Sequence, residues 1–125
     1  MNVVDTSGWL EYFEGGANSE LFAAPIKKVD KLIVPVICVY EISKVILRES
    51  SEDHLMLALA AIHKGRIINL SPSLATAAAK ASLRYSLPMA DSIIYATAMQ
   101  FNATVWTQDI DFKGIPCVNY IPKAS

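Results

Sequence analysis

The sequence predicts an α/β domain in which a short-stranded, mostly parallel sheet is flanked by helices on both faces. Two observations carry this expectation. Short apolar, β-prone runs such as Asn2-Val3-Val4, Leu32-Ile33-Val34 and Thr104-Val105-Trp106-Thr107 alternate with longer stretches of helical periodicity. Helix-start signals, among them Pro35, Ser71-Pro72 and Pro88, fall just where those longer stretches begin.

In chain order, residues 2–4 form a first strand that stops at Asp5. Ser7 is placed to cap a helix over 8–13, which Gly15-Gly16 ends, and a second short helix covers 19–28. Residues 32–34 are a strand, followed by a helix over 36–49 with Val39, Ile42, Val45 and Ile46 on its apolar stripe. Ser50 with Asp53 reads as a capping box opening a helix that runs to Lys64 and closes at Gly65. A strand over 66–70 leads to an alanine-rich helix over 72–86, capped by Ser71 with Pro72 in its first position. A helix over 88–101 ends at Asn102, the strand 104–107 follows, and 118–121 form a last strand. No linker, repeat or low-complexity stretch interrupts the chain, so residues 1–125 read as a single domain.

Composition narrows the class. With 53% hydrophobic and 18% charged residues the chain is neither disordered nor collagenous nor a soluble coiled coil. Its longest apolar runs, 32–40 and 55–62, fall well short of the roughly 20 residues that span a bilayer. The N-terminus has no basic segment ahead of an apolar stretch, so a cytoplasmic location is expected. A net charge of −1 does not by itself suggest a nucleic-acid binder. Cys38 and Cys117 form no paired motif and are expected as reduced thiols. A chain this small and apolar is expected to cover part of its surface with a partner.

The informative feature is where the carboxylates fall. In a parallel α/β sheet, ligands bind beyond the carboxyl ends of the strands. Asp5 directly follows the first strand, and Asp109, with Asp111 two residues on, directly follows the strand ending at Thr107. Asp91 lies in the first turn of the helix opened by Pro88, and Glu41 in the first half of the helix after residues 32–34. Singly, each has an ordinary explanation as a turn residue, a dipole partner or a solvated acid. Together they predict three or four acids converging at one sheet edge. Such a cluster raises the pKa of its members unless a cation neutralises it. Oxygen ligands without His or Cys suit Mg²⁺ or Mn²⁺, and a site of that kind performs phosphoryl chemistry with an activated water.

Four segments also resemble, in order, the motifs of PIN-domain ribonucleases, above all the VapC-type toxins of toxin–antitoxin pairs. They are Asp5-Thr6-Ser7-Gly8-Trp9, Val39-Tyr40-Glu41-Ile42, Met89-Ala90-Asp91-Ser92-Ile93-Ile94-Tyr95-Ala96-Thr97-Ala98, and Thr107-Gln108-Asp109-Ile110-Asp111-Phe112. The resemblance covers essentially the whole chain. It implies a PIN-like three-layer sandwich and a Mg²⁺- or Mn²⁺-dependent endoribonuclease, usually dimeric and held inactive by a cognate VapB-like antitoxin. By position it implies that Asp5, Glu41, Asp91 and Asp109 form the acidic site, with Asp111 as an auxiliary ligand. Thr6, Ser7 and Thr107 would then support the acids through hydrogen bonds.

Lys44 and Arg48 follow Glu41 on one helix face and are candidate phosphate contacts, although a solvated basic face is the slightly simpler explanation. The aromatic trio Trp9, Tyr12 and Phe13 has the spacing of a buried stripe rather than of a base-stacking platform. His54 and His63 lie on opposite sides of their helix, so zinc is not indicated. That helix is apolar nearly all round and is expected to be buried on more than one side, partly against a second subunit or an antitoxin. Two other functions compete. A haloacid-dehalogenase-type phosphatase or phosphotransferase also has an aspartate after its first strand, but it needs a second two residues on, where Ser7 stands. A non-catalytic PIN-like module binding RNA or protein has no use for four acids facing phosphates.

Overall fold

A computed structural model describes residues 1–124. Its sheet has five parallel strands, β1 (Asn2–Val4), β2 (Leu32–Pro35), β3 (Arg66–Ile68), β4 (Thr104–Thr107) and β5 (Val118–Tyr120), in the order β3-β2-β1-β4-β5. Helices α1 (Thr6–Glu14) and α2 (Ser19–Lys27) connect β1 to β2, α3 (Val36–Glu49) and α4 (Glu52–Ile62) connect β2 to β3, and α5 (Pro72–Tyr85) and α6 (Met89–Gln100) connect β3 to β4. The chain therefore steps outward on one side of β1 and returns on the other. The reversal falls between β1 and β4, the place where open α/β sheets leave a crevice for ligands.

The strands read as continuous apolar runs because both faces are covered: Val3, Val4, Ile33, Val34 and Val105 are essentially inaccessible. Trp9 and Phe22 from α1 and α2, Ile42 from α3, Ile62 from α4, Ile94 from α6 and Phe112 complete the core. Each fully buried side chain of this size contributes about 1.5–3 kcal/mol of apolar transfer energy. Trp9, Tyr12 and Phe13 do form an inward stripe, with Trp9 and Phe13 stacked at 5.6 Å between ring centroids. The central helix α6 is buried from Ser92 through Ala98, and the hydroxyls of Ser92 and Thr97 are satisfied by the carbonyls of Met89 and Ile93, each at 2.7 Å.

Helix boundaries differ from the sequence expectations in instructive ways. Helix α1 begins at Thr6, and its cap is Asp5 rather than Ser7: the Asp5 carboxylate accepts from the Gly8 N–H at 3.0 Å. Asp5 leaves β1 in an extended conformation, so its side chain reaches the first helical turn while Ser7 lies inside it. The cap of α4 is Ser51, accepting from His54 N–H at 3.2 Å, because the Ser50 hydroxyl turns instead to the His54 ring. Ser71 and Pro72 open α5 as expected, and Asn102 follows α6 in the left-handed region at φ 52°.

Helix α4 meets this chain on one side, and its other side is the one that the sequence assigns to a partner. It is buried along one side only, through Ala58 and Ile62, while Met56 and Leu57 are 66% and 70% exposed. It packs chiefly against α3 at the margin of the domain, so none of the described residues covers its outer side. Between α1, α3 and α4 lies a cavity of about 420 Å³ lined by Leu10, Phe13, Val45, Ile46, Leu57 and Ala58.

Gly8 is the tightest point beside the site. A Cβ there would meet the Phe22 ring and Val4 at 2.7 Å. Alanine in a helix normally gains up to about 1 kcal/mol over glycine, but overpacking of this kind costs about 1–3 kcal/mol. Gly8→Ala is therefore expected to lower stability by about 1–2 kcal/mol in urea denaturation, and a variant more stable than the parent would contradict the packing described.

Candidate metal centre

The pairing of β1 with β4 builds the site. Val4 is in register with Trp106, and the Asp5 N–H donates to the Trp106 carbonyl at 3.1 Å, which sets Thr107 beside Asp5. The Asp5 carboxylate is 2% exposed and fully engaged. Oδ1 accepts from Ser7 Oγ at 2.7 Å and from Gly8 N at 3.0 Å, and Oδ2 accepts from Thr107 Oγ1 at 2.8 Å. Thr107 Oγ1 in turn accepts from the Asp109 N–H at 2.9 Å, so one hydroxyl links the first and fourth motifs.

Asp5, Asp91 and Asp109 each offer a carboxylate oxygen, and the three oxygens all lie within 4.8 Å of one another. The other candidate acids stand outside this group. Glu41 Oε1 accepts from Thr6 Oγ1 at 2.6 Å, which ties α3 to the start of α1. Asp111 is exposed, and its N–H donates to Asp109 Oδ1 at 2.9 Å, so Asp109 caps the short helical turn 110–112. Lys44 lies over the Tyr40 ring at 6.0 Å rather than beside Glu41, and Arg48 pairs with Glu49 at 3.3 Å in an exposed contact worth little.

Electrostatics single out two of the acids. Burial pushes the Asp5 carboxyl up to about 6, with the Asp109 charge adding to the rise, against the lowering hydrogen bonds from Ser7, Gly8 and Thr107. Burial, followed by the charges of Asp109, Asp5, Glu41 and Asp111, pushes Asp91 up to about 7. Its place in the first turn of α6 favours the charged form, and burial together with the neighbouring carboxylates outweighs that. Beneath the acids, Cys38 is wholly buried, and desolvation pushes its thiol well up, which keeps it protonated and inert.

The donor set fits a hard divalent cation. All three converging ligands are carboxylate oxygens, neither histidine belongs to the cluster, and two of the acids resist ionising together without a counter-charge.

A family model described as PIN domain matches residues 3–116. The chain belongs to the PIN domain family. Comparison with curated proteins gives no match. Among solved structures, a chain in a toxin–antitoxin complex from Klebsiella pneumoniae is similar with a TM-score of 0.84 at 22% identity, covering 99% of this chain and 100% of that one. VapC20 from Mycobacterium tuberculosis, described as a sarcin-ricin-loop-cleaving toxin, is similar with a TM-score of 0.76 at 18% identity over 93% and 95% of the two chains. A chain of VapBC2 from Rickettsia felis, solved with a promoter DNA fragment, has a TM-score of 0.74 at 16% identity over 97% of each. At these identities the likeness is one of fold, and it bears out the PIN-like α/β architecture expected from the sequence.

One buried polar residue of this PIN domain had no assignment in the sequence reading. Gln108, between Thr107 and Asp109, is 8% exposed, and its N–H donates to Ser7 Oγ at 3.2 Å. A glutamine flanked by two motif residues at the end of a buried strand is the signal that points to it.

A carboxyl whose pKa is raised by folding binds its proton more tightly in the folded state. Without metal, stability therefore falls as pH rises from about 4 through the folded values of about 6 for Asp5 and 7 for Asp91. The Asp5 shift corresponds to about 3 kcal/mol, and Asp91, partly open to solvent, contributes less per unit. EDTA-treated protein is expected to resist urea better at pH 5 than at pH 8. Asp5→Asn keeps an acceptor for Gly8 and removes the charge, and it is expected to shrink that difference. Equal midpoints at both pH values would refute the assignment.

Proposed function

We propose that this PIN domain, residues 1–125 read as one unit, is a metal-dependent endoribonuclease and the toxin of a cytoplasmic toxin–antitoxin pair. The observation that carries the reading is the convergence of Asp5, Asp91 and Asp109 at the reversal point of the sheet in a member of this family. Asp5, Asp91 and Asp109 would hold Mg²⁺ or Mn²⁺, with Glu41 and Asp111 as outer acids. Bound there, the cation supplies neutralising charge and a water acidic enough to attack a phosphodiester near neutral pH.

The chain's own residues support hydrolysis by water rather than by a side-chain nucleophile. The hydroxyls of Ser7 and Thr107 donate to Asp5 and that of Thr6 donates to Glu41, so all three serve to orient carboxylates. Neither histidine is available as their base: His54 and His63 are exposed on and just after α4, with ring contacts to Ser50 and to the Leu59 carbonyl. Held by three donors, Asp5 keeps its place when a charged ligand approaches, and Lys44 and Arg48 on α3 are the candidate contacts for RNA phosphates. Ser7, bonded to Asp5, stands where a dehalogenase-type phosphatase needs a second aspartate, which disfavours that alternative.

Partners follow from surface and likeness together. Solved neighbours from Klebsiella pneumoniae and Rickettsia felis are toxin–antitoxin assemblies, and the apolar cavity between α1, α3 and α4 with exposed Met56 and Leu57 supports a docking role. No helix among the described residues is long and apolar enough to cross a membrane.

Protein freed of antitoxin is expected to cleave a mixed RNA pool with Mg²⁺ or Mn²⁺ and to be silent in EDTA. Asp5→Asn is expected to lower the rate by at least about 100-fold, because changing even an outer partner of a metal ligand costs 10–100-fold. Hydrolysis of small phosphoesters but not RNA would favour the phosphatase alternative, and RNA binding without turnover in either metal would favour the non-catalytic module. Light scattering at micromolar concentration is expected to give a dimer, and a monomer both with and without antitoxin would sink that part of the reading.

A further inference from the structure

Asn18 occupies the N-cap position of α2, and asparagine is among the best residues for capping a helix. Its side chain makes no cap hydrogen bond there. Both Nδ2 hydrogens leave the turn instead, one to Gln108 Oε1 at 3.1 Å and the other to the Pro122 carbonyl at 3.0 Å. Its backbone N–H is held by Glu11 Oε2 at 2.8 Å. Gly16 leaves room for that carboxylate, since a Cβ there would sit 2.3 Å from Glu11 Oε1. One amide thus joins the α1–α2 turn, the end of β4 and the segment after β5.

The strand end it reaches is the one that presents Asp109. Thr107 donates to Asp5 at 2.8 Å, and its carbonyl accepts from Ile121 N–H at 2.7 Å. Gln108 donates through its N–H to Ser7 Oγ at 3.2 Å, and the Asp109 N–H donates to Thr107 Oγ1 at 2.9 Å. The Gln108 side chain, nearly buried, has Asn18 as its partner. A buried amide stripped of its partner is costly, so the turn holds its geometry only while Asn18 meets the Gln108 oxygen. Forgoing an available helix cap to hold this amide and the Pro122 carbonyl marks Asn18 as serving the turn rather than its own helix.

We propose that Asn18 is a positioning residue for the metal centre: through Gln108 it sets the turn that presents the Asp109 carboxylate to Asp5 and Asp91. The inference rests on the metal-site reading above and adds to it a residue from outside the four motifs.

The test is a Mn²⁺ titration of the full chain, followed by the spin-resonance signal of free Mn²⁺. Wild-type protein is expected to bind, and Asn18→Ala to bind about tenfold more weakly, as loss of an outer partner does. Gln108→Ala is expected to match it, and the double variant to be no weaker than either single one, because the two act as a unit. In an Asp109→Asn background Asn18→Ala should change the affinity no further, since the carboxylate it positions is gone. A purely structural role would lower the melting temperature without that loss of effect. Asn18→Asp has the same shape but no hydrogens to give, and it serves should the alanine variant not fold. Unchanged affinity in either folded variant, or additive effects of Asn18→Ala and Gln108→Ala, would overturn the proposal. A wild-type protein that binds no Mn²⁺ would overturn the metal-site reading and this inference with it.

Discussion

The buried carboxylate of Asp5 is the constraint on which the rest of the structure depends. A charged group removed from water is costly unless its lone pairs are met, and here Gly8, Ser7 and Thr107 meet them from two directions. Satisfying that one side chain requires α1 to begin immediately after β1 and β4 to end level with it. It also requires a hydroxyl at Thr107 rather than an apolar residue. Even so, burial outweighs the three donors and the carboxyl titrates high. A fold selected for stability alone has little reason to keep such a residue. A site that presents fixed negative charge to a cation has every reason to do so.

Around this anchor one hydroxyl–acid pair, Ser7 with Asp5, is local, and two others join residues far apart in sequence. Thr6 and Glu41 are 35 positions apart and meet at 2.6 Å, and Thr107 and Asp5 are 102 apart and meet at 2.8 Å. The first pair ties the start of α1 to α3, and the second ties the end of β4 to the residue after β1, so these two acids are held by contacts between separate elements. Asp91 differs: it rides on α6 with no side-chain hydrogen bond among the described residues, and burial and then the charges of its neighbours act on it. The cluster therefore has a rigid member in Asp5 and a less constrained one in Asp91. Asp109 is set by the turn that Gln108 and Asp111 flank.

Much of this was legible beforehand because local chemistry encodes it. Pro72 and Ser71 could mark the start of α5 because a missing N–H is harmless in a first turn and a hydroxyl is useful just before it. Asn102 was readable as the residue beyond α6 because asparagine tolerates positive φ. At two helix starts the sequence pointed to Ser50 and Ser7, and the structure uses the neighbouring Ser51 and Asp5. The difference in both cases comes from where the preceding element aims the backbone, which a local pattern does not record. The apolar character of α4 was equally plain, yet its composition does not say whether the second side is met by this chain or by another. The structure leaves Met56 and Leu57 uncovered.

By itself, the sequence determined the order and type of the elements and the acids that end the strands, since hydrophobic period, caps and strand termini act over a few residues. Tertiary structure alone decided which acids meet. Asp5, Asp91 and Asp109 come from three separate crossovers, and their 4.8 Å convergence depends on strand order and helix packing that no local pattern records. The same holds for Asn18. Its residue type announces a helix cap, and only the arrival of Gln108 and Pro122 beside it turns that side chain to other work.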